Sequence, residues 1–312
     1  MNSIIVPVHN EVGNEASARP SFEELVVTFL CNKDLRASSA LSYRASFNQF
    51  AEYLRLNAVI LVTEREIKDF KQYLIDKKLS VFTVISHLSA IKSLFSFLAA
   101  RNLYLDIARD IKVPKKPKEF MRDALTKEQA QKLLKSASGE TIVDKRDFAI
   151  ISTLLRCGLR SIEIVRADIG DVRKSNGTPL LWVHGKGRDS KDEFVVLTDE
   201  ALRAIRAYLT VRGKACDDDP LFASHGPRNA QGRLTTRSVR RIVKEHLKKI
   251  ELNEKELTCH SLRHTFATLA LANNAPLIAV QKAMRHSNIN TTTIYTHMID
   301  RISDGAEHYI DL

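Results

Sequence analysis

The stretch IKVPKKPKEFMR, residues 111–122, limits the folds open to this chain more than any other, because two prolines and five basic residues rule out a continuous helix through it. It reads as a semi-extended basic connector, so the chain is expected to fold as two units. The boundaries that follow are a loose polar arm over residues 1–19, a helical unit over 20–111, a basic linker over 112–122 and a second unit with a tail over 123–312.

Ahead of the connector, apolar residues recur at helical spacing. Phe22, Leu25, Val26 and Phe29 mark one amphipathic helix, and Tyr43, Phe47, Phe50, Ala51 and Leu54 mark a second. A third opens at Thr63, where Glu66 completes a capping box, and carries Ile67, Phe70 and Leu74 inward. The fourth runs from Ser80 to Arg101, with Val84, Leu88, Ile91, Phe95 and Leu98 on its buried side. Four such helices make a small bundle.

Beyond the connector, Thr126 and Gln129 cap a helix, and an apolar helix from Asp147 to Cys157 ends at Gly158, a residue suited to a left-handed stop. A short helix follows from Ser161. Pro179 to Val183 and Glu193 to Leu197 read as two strands of a hairpin around the polar turn HGKGRDSKD. Helical patterns then cover Asp199 to Val211, Thr235 to Ile250, Ser261 to Ala272 and Leu277 to Met284. The fold class is therefore mainly α with a small β-sheet.

The 312 residues carry a formal net charge of +11, with Lys and Arg spread through both halves, and such a surface favours a polyanionic partner. Charge alone does not decide for nucleic acid. Cys31, Cys157, Cys216 and Cys259 form no CxxC pair, so they read as reduced thiols and not as a zinc site or a disulfide framework. The start, MNSIIVPVHNEVGNE, is expected to lack the flank and length of a signal peptide, and no later stretch is expected to span a bilayer, so the chain is expected in the cytoplasm.

Four local signals carry chemistry. In CGLRSIEI, Gly158 stops one helix and Arg160 opens the next, with Glu163 one turn on to orient it; alone this is an ordinary surface pair. In HGKGRDSK, Lys186 sits between two glycines at a hairpin tip, close enough in principle to reach a phosphate ester; alone it is a solvated turn, and the ending of a Walker loop is absent. In HSLRH, His260 and Arg263 fall on one helix face at neighbouring turns, able to meet one phosphate, with no third ligand for zinc. In MRHSNINTTTIYTHM, His286 precedes Tyr295, which alone reads as a packing residue. Together they supply what phosphodiester cleavage without a metal requires: a nucleophile, cations for the non-bridging oxygens, an acid for the leaving alkoxide and a base or hydrogen-bond partner.

In order and spacing, these motifs resemble the tyrosine recombinases, or phage integrases, and in particular the simple two-domain Xer-like members; the resemblance runs from Phe22 to His297. It implies an N-terminal helical core-binding (SAM-like) bundle and a C-terminal α+β catalytic domain, together forming a C-shaped DNA clamp. It implies that Arg160 and Arg263 neutralise the scissile phosphate, Lys186 protonates the departing 5′-oxygen, His260 acts as base or phosphate donor, His286 completes the cage, Glu163 supports, and Tyr295 attacks to leave a 3′-phosphotyrosyl link. No metal, ATP or other cofactor is implied. The partners implied are double-stranded DNA with inverted-repeat core sites and three further copies of the chain, a homotetramer on two paired sites exchanging strands through a Holliday junction. By the same resemblance Thr83, His87 and Lys92, on the exposed side of the fourth helix, and Lys115, Lys116 and Lys118 of the connector are candidate DNA contacts.

The chain also departs from the family pattern. Met284, Arg285 and His286 stand where the family usually has Leu-Gly-His, and Arg285 is expected to add a phosphate contact or to face solvent. The tail from Ile302 to Leu312 ends in HYIDL, a pattern for packing on its own chain or, as expected here, on the next protomer. Two other readings remain open at this point: a type IB topoisomerase, which shares the nucleophile chemistry, and a catalytically idle DNA-binding regulator on the same scaffold.

Overall fold

The computed structural model describes residues 21–115, 124–185, 190–227, 229–286, 288 and 292–293. The chain divides into two compact units, Met1–Lys118 and Glu119–Leu312.

The first unit is built from α1 (Phe22–Asn32), α2 (Ala37–Leu56), α3 (Glu64–Asp76) and α4 (Val81–Ala99). Reciprocal capping boxes start α1 and α3: the Ser21 hydroxyl accepts from the Glu24 amide while Glu24 returns to the Ser21 amide, and Thr63 and Glu66 do the same. Each box satisfies N–H groups that have no partner within the helix. The apolar faces meet in one aromatic core, where Phe29 sits edge-on to Phe47 and Phe97 at 5.4 and 5.2 Å. A fully buried side chain of this size contributes about 1.5–3 kcal/mol.

Two expectations about α4 need correction. By length and composition alone this helix is apolar enough to cross a membrane, contrary to the sequence reading. Leu88, Ile91, Leu94 and Phe95 of this helix are instead buried in the bundle core, whereas Val81 and Phe82 at its start are exposed. Nor are Thr83, His87 and Lys92 on a freely exposed face. The Thr83 hydroxyl is hydrogen-bonded to Ser80 at the helix cap, His87 lies partly buried and edge-on to Phe70, and the Lys92 ammonium donates to the carbonyl oxygens of Arg109 and Ile111 at 2.6 and 2.9 Å. The helix is packed on more of its circumference than the five inward residues of the pattern require, so its polar side chains turn to backbone and ring partners. Lys115 is exposed, whereas Lys116 and Lys118 lie outside the described residues.

The second unit contains α5 (Lys127–Ser136), α6 (Ile142–Cys157), α7 (Ser161–Arg166), β1 (Val172–Ser175), β2 (Thr178–Val183), β3 (Glu193–Val196), α8 (Asp199–Arg212), α9 (Thr236–Lys249), α10 (Cys259–Ala272) and α11 (Leu277–Ala283). The strands form an antiparallel sheet in the order β1-β2-β3. The sheet thus has one strand more than the expected hairpin, joined through Asn176 and Gly177, both at positive φ. Central to the unit is α6, whose Ile150, Ile151 and Leu154 are buried and which packs against α8 and α10. It begins five residues before the expected start, from a capping box of Thr141 and Asp144. Three charged or ionisable side chains are buried beside it: Arg146 grips Asp147 at 2.7 Å, and His246 approaches the same carboxylate at 3.6 Å.

Candidate active site

Gly158 ends α6 in the left-handed conformation, with φ 61° and ψ 32°. A Cβ there would lie 2.6 Å from the Phe266 ring, so both the backbone angle and the close approach of α10 demand glycine. The reversal places Arg160 at the N-cap of α7 with its side chain 24% exposed, and Glu163 one turn later, 4% exposed. Glu163 holds Arg160 at two points: its Oε2 accepts from the Arg160 amide at 2.7 Å and its Oε1 from Nη1 at 2.8 Å.

Arg263 comes from α10 and is 1% exposed. Its Nη1 donates to the Gly158 carbonyl oxygen at 2.5 Å, and its Nη2 donates to the carbonyl of Met284. Arg160 reaches the same place, its Nη2 donating to Met284 O at 3.3 Å and Arg285 O at 3.1 Å. Two arginines from separate motifs therefore converge on one stretch of backbone after α11. Burial is tolerable for such guanidiniums only because carbonyl and carboxylate oxygens receive their N–H groups.

His286 follows directly, with Nδ1 2.9 Å from the Thr292 hydroxyl. Burial, and then the charges of Arg263, Arg160 and Arg285, push its imidazole down to about 4. It is accordingly neutral near pH 7, a hydrogen-bonding group and not a cation. His260 is exposed at the start of α10, its ring 4.6 Å from that of His264 in an edge-on arrangement. His264 is partly buried and also driven down to about 4, by burial first and then by His260, Arg263 and His286. Among the described residues, no group of three or more His, Cys, Asp or Glu side chains is disposed to hold a metal ion.

Of the predicted site, the structure brings together Arg160, Glu163, Arg263 and His286, with His260 close enough to act electrostatically on His286. Lys186 and Tyr295 lie outside the described residues. Lys191, the other lysine of the β2–β3 turn, is committed: its ammonium lies 2.6 Å from both Asp168 and Asp171. Burial would lower its pKa, but the two carboxylates outweigh that and raise it.

Two residues belong here that the motifs did not pick out. His264 sits within HSLRH, and its place one turn from His260 on the same helix was the available signal. Arg285 is the second. It does not face solvent: its side chain is 6% exposed and its Nη2 is 2.5 Å from Glu163 Oε2. A buried carboxylate attracts a second cation when one leaves its other oxygen underused. Burial works to raise the Glu163 carboxyl, but the Arg285 charge, the Arg160 amide hydrogen bond and the Arg160 charge overcome it and hold the group below the usual carboxylate range.

Comparison with known proteins gives this geometry a context. The model of the phage integrase family matches residues 123–301. A tyrosine recombinase XerC of Caldanaerobacter subterraneus subsp. tengcongensis is 38% identical over 179 residues, 56% of this chain and 47% of that protein. A tyrosine recombinase XerD of Rhizobium meliloti is 32% identical over 285 residues, 88% of this chain and 89% of that protein. Among solved structures, the XerH site-specific recombinase bound to palindromic difH substrate in a post-cleavage complex shares the fold, with a TM-score of 0.74 at 23% identity, covering 93% of this chain and 85% of that one. The chain belongs to the phage integrase family and is a tyrosine recombinase, an enzyme of site-specific DNA recombination.

Proposed function

We propose that the chain cleaves and rejoins duplex DNA through a covalent tyrosyl intermediate, and the observation that carries this reading is the convergence of Arg160 and Arg263 on the backbone at Met284. In this reading the Tyr295 hydroxyl attacks the scissile phosphorus, a P–O bond to tyrosine forms, and the bond to the 5′-oxygen breaks. Lys186 supplies the proton that the departing 5′-oxygen takes up. The two guanidiniums stabilise the charge that builds on the non-bridging oxygens, a task for which their planar forks and permanent charge suit them. His260 serves as base or phosphate donor, and neutral His286 completes the hydrogen-bonding around the phosphate. Glu163 supports by orienting Arg160.

Because the ester energy is kept in the phosphotyrosyl bond, attack by the 5′-hydroxyl of a second strand reverses the step, so no ATP is needed. Cationic side chains take the place of a Lewis acid, so no metal is needed either. The palindromic substrate of the XerH complex supports a DNA site with inverted repeats. We place four protomers on two such sites, exchanging strands by way of a Holliday junction, in the cytoplasm.

The test uses a nicked duplex that loses its 5′-hydroxyl fragment after cleavage, selected by the wild-type protein from a random-sequence pool. A covalent protein–DNA adduct is expected with the wild type and none with Tyr295→Phe. Recombination between two cloned copies of the selected site is expected as well. An adduct without recombination refutes the strand exchange and points to a topoisomerase, whereas DNA binding without an adduct refutes the cleavage chemistry as well and points to an idle regulator.

A further inference from the structure

Residue 285 occupies a backbone position that suits a different residue type. Its φ is 52°, in the left-handed region where a side chain is disfavoured and glycine is usual. An arginine stands there nonetheless, with its side chain turned inward. Its Nη2 and Nε reach the two oxygens of Glu163, at 2.5 and 3.3 Å, and its Nη1 donates to the Ala283 carbonyl at 2.6 Å. Nε, whose one N–H goes to Glu163, also lies at ion-pair distance, 3.8 Å, from Glu193 Oε2, an oxygen that is buried and has no hydrogen-bond partner among the described residues. Glu193 opens β3, the strand that follows Lys186 in sequence.

The same residue meets Arg160 twice. Its carbonyl accepts from Arg160 Nη2, and its side chain shares the Glu163 carboxylate with Arg160 Nη1. A carboxylate facing a single guanidinium tends to draw it into a two-pronged pair. Here Arg285 engages Oε2 and also lies within reach of Oε1, so Arg160 spends one side-chain N–H group on Glu163 where a two-pronged pair would take two.

We propose that Arg285 is a positioning residue for DNA cleavage: by sharing Glu163 and pairing its charge with Glu193, it keeps Arg160 extended toward the scissile phosphate and couples that arginine electrostatically to β3. It does not itself touch the phosphate. The inference rests on the reading of Arg160 as a phosphate clamp and adds to it a residue that acts only through Arg160 and Glu163. Without Arg285, the buried carboxylate takes both prongs of Arg160, and β3 loses its electrostatic coupling to α7.

The test measures single-turnover adduct formation and duplex affinity separately, on the nicked duplex selected by the wild-type protein. Arg285→Gly relieves the backbone angle but leaves the buried Glu163 with one cation fewer, so it is expected to melt at a lower temperature and to keep its duplex affinity while cleaving about 10-fold or more slowly, the scale of loss that a misplaced catalytic group produces. Arg285→Lys keeps a charge on Glu163 but cannot span to Glu193, and its rate is expected between the two. Combining Arg285→Gly with Arg160→Lys is expected to cost no more than Arg160→Lys alone, because one acts through the other. Wild-type cleavage by Arg285→Gly, or losses that multiply in the double variant, overturns this inference and leaves the functional reading intact. Failure of the wild type to form any adduct overturns both. Should the glycine variant be unfolded, Arg285→Lys decides: a slower rate supports the inference and an unchanged one refutes it.

Discussion

His264 and His286 are held neutral by burial and by the arginines around them, both driven from the ordinary 6.5 to about 4. Between those two values the unfolded chain binds protons that the folded chain refuses. The contribution of these two groups to stability therefore falls as pH drops through that window and changes no further below about 4. The thermal midpoint of the DNA-free protein is expected to decline across it, and the decline to be shallower in the His264→Gln, His286→Gln double variant; an equal slope in both proteins contradicts the assignment. At this scale the sequence was legible where a motif names a residue type, as with Arg160, Arg263 and His286. It was not legible at Arg285, because neither a positive φ nor the inward turn of a long side chain leaves a trace in residue spacing. Of the two fates expected there, a phosphate contact or solvent, solvent is the usual one for that residue type, and the buried Glu163 draws the side chain inward instead.

The turn between α6 and α7 shows how one element boundary sets the site. Gly158 gives the chain its left-handed stop, lets the Phe266 ring of α10 close against it, and offers its carbonyl to Arg263. Gly158→Ala is expected to destabilise the protein by about 2–4 kcal/mol in urea unfolding, from backbone strain together with crowding of the ring. Cleavage should fall with it, since the carbonyl that anchors Arg263 moves; a stability loss below about 0.5 kcal/mol, the size of a neutral surface change, contradicts this. Helix stops and caps of this kind were readable from sequence, because glycine and capping boxes act locally. Two errors have equally local causes. Strand β1 is polar and lacks alternation, yet its Asn176-Gly177 turn is a strong hairpin signal that went unused. The start of α6 was set too late because Asp144, Lys145 and Arg146 interrupt its apolar pattern; Arg146 in fact packs inward on Asp147.

At the scale of the whole molecule, the positive charge and the proline-broken connector foretold a basic chain, and their meaning came from the order of the catalytic motifs. Each motif by itself had an ordinary explanation. Their joint occurrence was legible because the chemistry of a phosphodiester needs all of them at once, whereas the candidate DNA contacts on α4 rested on analogy and met side chains already engaged elsewhere. The most direct test of the account is proteolysis of the trapped protein–DNA adduct followed by mass spectrometry of the linked peptide. The nucleotide is predicted on Tyr295, with the adduct severely reduced in Arg160→Ala and in Arg263→Ala. A nucleotide on any other side chain, or full yield after either arginine is removed, contradicts it.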